Sequence, residues 1–175
     1  MGTSFANIHV LSRDRKAVEA ALKRKGFFGS LFHSYYTGEF DGWISVLGSS
    51  FNWETIGEEA AQLSGRVPDL VGAIGYFDDD VLLWTFYRNG EQIQRFTTGD
   101  IEQYEIEKED FDFPALIELL HLPVTAEELE AIFDDESDLM SIVEQMEKLL
   151  KIPLWAKYDW VEDDEELRKG FQAVR

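Results

Sequence analysis

The sequence predicts an α+β fold built on a mainly antiparallel sheet. Three observations carry that prediction. Short runs of apolar residues alternate as strands do and are bounded by Gly-, Asn- and Asp-bearing turns. Two stretches of helical spacing interrupt these runs at regular places, and the last third of the chain turns to helical spacing almost throughout.

FANIHVLS, residues 5–12, alternates and reads as the first strand. Asp14 is placed to cap the helix RKAVEAALKRK, in which Ala17, Val18, Ala21 and Leu22 share a face and after which Gly26 is the expected stop. LFHSYYTG (31–38) and WISVLG (43–48) are strands joined through the turn GEFDG. NWETIGEEAAQLS (52–64) is a helix with Asn52 as cap, Ile56, Ala60 and Leu63 on its buried face, and Gly65 as its end. DLVGAIGYF (69–77), VLLWTFY (81–87) and EQIQRFTT (91–98) are the remaining strands. Asn89-Gly90 supplies the pair that a two-residue type I′ hairpin demands. The order strand, helix, strand, strand, helix, strand matches a ferredoxin-like split βαβ arrangement, extended by one hairpin.

The strand 81–87 is apolar on both faces, with Val81, Leu83 and Tyr87 on one and Leu82, Trp84 and Phe86 on the other. Both faces must then be covered. Residues 91–98 alternate Gln92 and Gln94 with Ile93 and Arg95, as an edge strand would. The C-terminal third is the natural cover for the second face. Beyond an acidic connector (101–112), Pro114 suits a first helical turn, Thr125 and Glu128 are spaced as a capping box, and Leu139, Ile142, Met146 and Leu149 form one stripe that Pro153 ends. A short helix is expected after Asp164. Residues 1–100 are therefore read as an α/β sheet core and 101–175 as an acidic, mainly helical extension, the two forming one compact unit.

The 175 residues carry a formal net charge of −19. It is uneven. Residues 1–70 hold 7 Lys and Arg against 8 Asp and Glu, and residues 71–175 hold the other 9 against 27. Such charge opposes binding to nucleic-acid backbones and anionic membranes. It reads either as a solvated, self-repelling surface or as an acidic face for a basic partner. RDRKAVEAALKRK clusters six basic residues, for which pairing with the acidic C-terminal third is the simpler account. No run of about 18 apolar residues is present, so no membrane span is expected. The N-terminal residues lack a signal-peptide pattern, and Ala6 stands where N-myristoylation takes Ser or Thr. There is no cysteine, which mildly favours a reducing, cytoplasmic setting.

Chemical motifs are sparse. The phosphate-loop, dinucleotide, nucleophile-elbow and zinc-protease signatures are absent. His9, His33 and His121 are far apart in sequence, and a packed imidazole is the default for the first two. Residues 133–145 fail as a calcium loop, because Leu139 replaces the turn glycine and Gln145 the bidentate glutamate. Asp78-Asp79-Asp80 lies between two strands, where aspartates serve a turn without any ion. No cofactor and no catalytic residue is assigned, so an enzyme is the less favoured reading.

The strongest surface candidate is LWAKYDWVEDDEE (154–166). Trp155, Tyr158 and Trp160 stand beside Asp163, Asp164 and three glutamates. Aromatic residues with a carboxylate rim suit an interface for a basic protein. The expected function is a small acidic interaction module, of inhibitor or immunity type for example. The alternative is a carboxylate-based enzyme or a small-ligand or divalent-ion binder, and a homodimer through an open sheet edge is a further expectation.

Overall fold

The computed structural model describes residues 2–24, 33–134 and 138–175. Among them, six strands and two helices come first: β1 (Phe5–Val10), α1 (Arg15–Lys23), β2 (Tyr35–Phe40), β3 (Trp43–Gly48), α2 (Ile56–Ser64), β4 (Val71–Phe77), β5 (Val81–Arg88) and β6 (Glu91–Gly99). Then come α3 (Phe113–Leu120), α4 (Ala126–Phe133), α5 (Leu139–Leu150), a single 3-10 turn at Tyr158–Trp160, α6 (Glu165–Gly170) and β7 (Gln172–Ala173). The fold is α+β. Its seven strands form one antiparallel sheet in the order β6-β5-β4-β1-β3-β2-β7.

Turn chemistry fixes the registers. Asp41-Gly42 and Asn89-Gly90 are two-residue loops in which every residue has positive φ (46° and 87°, 52° and 81°). They bring Phe40 opposite Trp43 and Arg88 opposite Glu91. The aspartate run is also a turn. Asp78 and Asp79 have φ of 52° and 63°, and Asp80 N donates to Phe77 O at 2.9 Å.

The pleat of the sheet then sorts side chains to two faces. Ala6, Ile8 and Val10 of β1, with Ile44 and Val46 of β3 and Val71 and Ala73 of β4, bury against Val18 and Leu22 of α1 and Ile56, Ala60 and Leu63 of α2. Across the sheet, Phe5, Ile74, Tyr76, Leu82, Trp84, Phe86 and Phe96 share one cluster with Leu116, Leu129, Phe133, Ile142 and Met146 of α3, α4 and α5. The double-sided apolar pattern of β5 thus meets helices on both faces.

Several local expectations change in detail. Helix α2 begins at Ile56 rather than Asn52, because the Asn52 carboxamide accepts from Glu54 N (3.0 Å) and Thr55 N (3.1 Å) and closes a separate turn first. The stop expected at Gly26 and the first residues of the second predicted strand lie outside the described residues. Helix α1 packs on the face away from α3–α5. Arg15 there bonds Glu19 at 2.9 Å and Thr37, and among the described residues α1 makes no pair with the acidic C-terminal third. The reason is topological: the sheet stands between α1 and α3–α5, and Gln172, Ala173 and Arg175, which line a cavity with Arg15, Lys16 and Glu19, bring no acidic side chain. β7, a two-residue strand that pairs with Tyr36 and Thr37, was not anticipated.

β6 is an edge strand, and it is shielded. A register shift leaves Ile93 unpaired as a bulge. The Gln94 side chain exchanges hydrogen bonds with the backbone of Asp112, accepting at 3.1 Å and donating at 3.2 Å. Gln92 donates to Glu109 at 2.8 Å. The acidic connector is thereby held along the edge that would otherwise invite another strand.

One polar clasp ties the C-terminal segment to the centre of the sheet. Asn7 is fully buried on β1, and its side-chain amide donates to Leu154 O at 2.7 Å and Ala156 O at 2.8 Å. Its own oxygen accepts from His9 Nε2 at 2.6 Å, and Ser45 lies 2.7 Å from His9 Nδ1. With both amide hydrogens spent on carbonyls, Asn7 can only accept from the ring. His9 is then the neutral Nε2–H tautomer, and the Ser45 hydroxyl donates to Nδ1.

Asn7→Ala leaves the buried Ala156 carbonyl and one ring N–H without their partners, and Leu154 O keeps only the Ala156 N–H at 2.9 Å. We expect a loss of about 3 kcal/mol or more in urea unfolding, with early protease cleavage after residue 150. Unchanged stability and an uncut C-terminal segment would show that the clasp holds nothing.

Candidate functional site

The candidate surface is built where the chain leaves α5. Lys151 takes φ 57° and ends the helix. Residues 152–156 then bend at Ile152 and at Trp155, where Ala156 N donates to Leu154 O at 2.9 Å, with Ile152, Leu154 and Ala156 buried and Trp155 half-buried between them. The alternation follows from the clasp: fixing the carbonyls of Leu154 and Ala156 fixes the direction of the side chain between them. The indole of Trp155 stands edge-on to Phe5 (centroids 4.9 Å) and Tyr76 (5.1 Å), and its backbone N–H donates to Glu147 Oε2 at 3.0 Å. Trp160, on the following 3-10 turn, meets the same Phe5 at 6.0 Å.

Trp155 and Trp160 line one open cleft of about 580 Å³ with Thr3, Asp163, Asp164 and Glu165. No lysine or arginine lines it. Asp164 caps α6, its Oδ1 accepting from Glu166 N (2.9 Å) and Leu167 N (3.1 Å). Lys169 reaches Glu165 at 3.6 Å and Glu166 at 3.0 Å, but these pairs are exposed and neutralise little. Asp163 has no cation at ion-pair distance among the described residues. A second hollow, of about 500 Å³, adjoins the first and shares Trp155 and Asp164 with it. Its other walls are Phe40, Ile152, Pro153, Leu167 and Phe171, with Glu147, Lys151 and Glu166 at its rim.

Four of the five residues singled out in the sequence therefore meet in one cleft. Tyr158 does not. It packs on Tyr36 with centroids 4.9 Å apart, in a separate small cluster with Leu47 and Val161. The aromatics also do structural work, since both indoles lean on the sheet. Sequence reading missed Thr3 and Glu147, which approach from distant chain positions, and missed the apolar neighbour hollow.

Other candidates resolve differently. Ser45, His9 and Asn7 form a hydroxyl–imidazole–amide relay of the kind that activates a nucleophile. Ser45 is 0% exposed and His9 2%, and neither lines any of the cavities described, so the relay is part of the core. Burial lowers the His9 pKa to about 3, which keeps the ring neutral. His121 is exposed at the left-handed end of α3. The Asp78–Asp80 turn is occupied by its own surroundings: Asp78 accepts from Gly2 N, Asp78 N donates to Ser4 Oγ at 3.0 Å, and Tyr104 donates to Asp80 at 3.3 Å. Among the described residues no three His, Asp or Glu side chains converge as a metal site. Glu59, which with Glu58 reads in the sequence as a solvated surface pair, is instead only 8% exposed on α2, and its Oε2 has no hydrogen-bond partner. Burial, and then the charge of Glu58, raise its pKa to about 7.

Comparison with protein-family models, curated proteins and solved structures returned no match.

The two buried groups give opposite pH dependences. His9 binds its proton more weakly folded than unfolded. Its contribution is intact above about pH 6.5 and lost as pH falls toward 3, on the order of 4 kcal/mol in all. Glu59 binds its proton more tightly folded, so its contribution is present below about pH 4.5 and lost as pH rises through 7. Glu59→Gln should match wild type in chemical denaturation at pH 4 and exceed it by about 1–2 kcal/mol at pH 8, a value reduced for solvent screening. An equal offset at both pH values would remove the titration of Glu59 as its cause.

Proposed function

We propose that this protein is an interaction module whose acidic C-terminal half docks a basic protein through the Trp155–Trp160 cleft. The observation that carries this reading is the cleft itself: two indoles held from behind by the sheet, rimmed by Asp163, Asp164 and Glu165, with no basic residue in its lining. Indoles supply contact area and cation–π attraction, and the carboxylates supply steering and selection for positive charge. The charge of residues 71–175 extends that steering well beyond the cleft. An inhibitor or immunity-type role suits such a surface, because fast capture of a basic target is what strong complementary charge provides.

We read the first six elements as a ferredoxin-like core, supported by the antiparallel run β4-β1-β3-β2 with α1 and α2 on one face. Residues 101–175 are read as an extension united with that core, supported by the buried cluster that they share. The cysteine-free composition favours a cytoplasmic setting. Self-association through β6 has less support, because the bulge and the connector shield that edge.

The test is capture of basic proteins by the full chain at low salt and at about 0.5 M salt, where the Debye length falls to a few ångströms. Wild type should retain a basic protein at low salt and release it at high salt. Trp160→Ala and the pair Asp163→Asn with Glu165→Gln should retain at least tenfold less, with Asp164 left in place as the α6 cap. Equal retention by wild type and both variants would sink the proposal.

A further inference from the structure

We infer that the segment docking in this cleft carries a basic side chain and a large apolar side chain two positions apart in an extended stretch. The inference rests on the docking reading above and specifies its ligand. Its basis is the pairing of two adjoining hollows of different chemistry. The first is aromatic and acidic, with Trp155, Trp160 and Asp163 in its wall. The second is walled mainly by apolar residues, among them Phe40, Leu167 and Phe171. A single wall, formed by Trp155 and Asp164, separates them. In an extended peptide, side chains that share a face recur every second residue, roughly 6.6 Å apart, so two of them can enter hollows that adjoin.

Charge sets the direction. Lys151 lines the apolar hollow, whereas the acidic one has no cation in its lining. A basic side chain placed in the apolar hollow meets the Lys151 ammonium as well as the rim carboxylates Glu147 and Glu166, whereas in the acidic one it meets Asp163, which has no cation at ion-pair distance among the described residues. Trp155 lines both hollows, and an indole can meet a cation as well as an apolar group. Phe5 and Tyr76 hold that ring from behind, so little ordering is left to be done on binding.

The test is titration of the ¹⁵N-labelled full chain with four blocked tripeptides, read by NMR. Ac-Arg-Gly-Leu-NH₂ should shift the Nε1–H signals of Trp155 and Trp160 together with the amides of Leu167 and Phe171. Ac-Arg-Gly-Gly-NH₂ and Ac-Gly-Gly-Leu-NH₂ should each bind at least fivefold more weakly, and Ac-Glu-Gly-Leu-NH₂ weaker still. Asp163→Asn should weaken the Arg-Gly-Leu probe several-fold without altering the folded spectrum elsewhere, and Trp160→Phe serves if Trp160→Ala unfolds. If Arg-Gly-Gly binds as well as Arg-Gly-Leu while basic proteins are still captured, the apolar position is wrong and the docking reading stands. If no arginine probe moves the indole signals and no basic protein is captured, both fall. Binding of the glutamate probe equal to that of Arg-Gly-Leu overturns the assignment of charge.

Discussion

The Asn7 side chain is the contact on which the rest of the molecule turns. It lies at the middle of the central strand and closes two backbone carbonyls from a segment about 150 residues away. Hydrophobic burial can draw the C-terminal segment onto the sheet, but it is non-directional and tolerates sliding. Two hydrogen bonds at 2.7 and 2.8 Å do not. Moving residues 154–156 by one position would leave buried carbonyls and a carboxamide unpaired, a desolvation cost far above that of a shifted apolar contact. The clasp thus specifies which residue of the segment faces inward. It makes Leu154 and Ala156 core residues and turns Trp155 toward the surface, where the cleft forms.

The same constraint explains why the strand beneath is polar in so apolar a sheet. β1 presents Phe5, Asn7 and His9 to the C-terminal face and Ala6, Ile8 and Val10 to the other. Asn7 needs an acceptor-side partner once both amide hydrogens are committed, and the neutral imidazole supplies a donor. His9 in turn needs a donor for Nδ1, and Ser45 stands directly opposite it in the β1–β3 register. The three side chains form a closed account with no charge in it. This is why burial holds the His9 ring neutral rather than expelling it to the surface.

Much of the fold was legible because its signals are local. Asn89-Gly90, Pro114 and the Thr125–Glu128 box each act within a few residues, and each does in space what its spacing announces. The two-faced apolar pattern of β5 correctly demanded a second helical layer. What was not legible depends on chain positions brought together by the fold. Asn7, His9 and Ser45 read as ordinary polar residues in strands, and nothing near them in sequence names Leu154 as partner. Glu59 reads as one of two exposed acids on a helix until α2 is set against the sheet. Of the cleft, Trp155, Trp160, Asp163 and Asp164 were visible as neighbours in sequence. The side to which each turns was not, and Tyr158 was separated from the others by the 3-10 turn.

Charge acts on a larger scale than any of these contacts. The basic residues of α1 lie on one side of the sheet and helices α3, α4 and α5 on the other, so the sheet keeps these two sets of charges apart. Residues 1–70 are close to neutral, with 7 basic and 8 acidic residues, and residues 71–175 are strongly negative, with 9 and 27. On the proposed function, a basic macromolecule approaching at moderate salt would be drawn chiefly by the charge of residues 71–175, over roughly a Debye length of about 8–10 Å. Such steering would bring a basic partner to the acidic half of the chain as a whole. On the same proposal, the Trp155–Trp160 cleft, with its rings braced by Phe5 and no lysine or arginine in its lining, is where the desolvated contact that sets residence time would form.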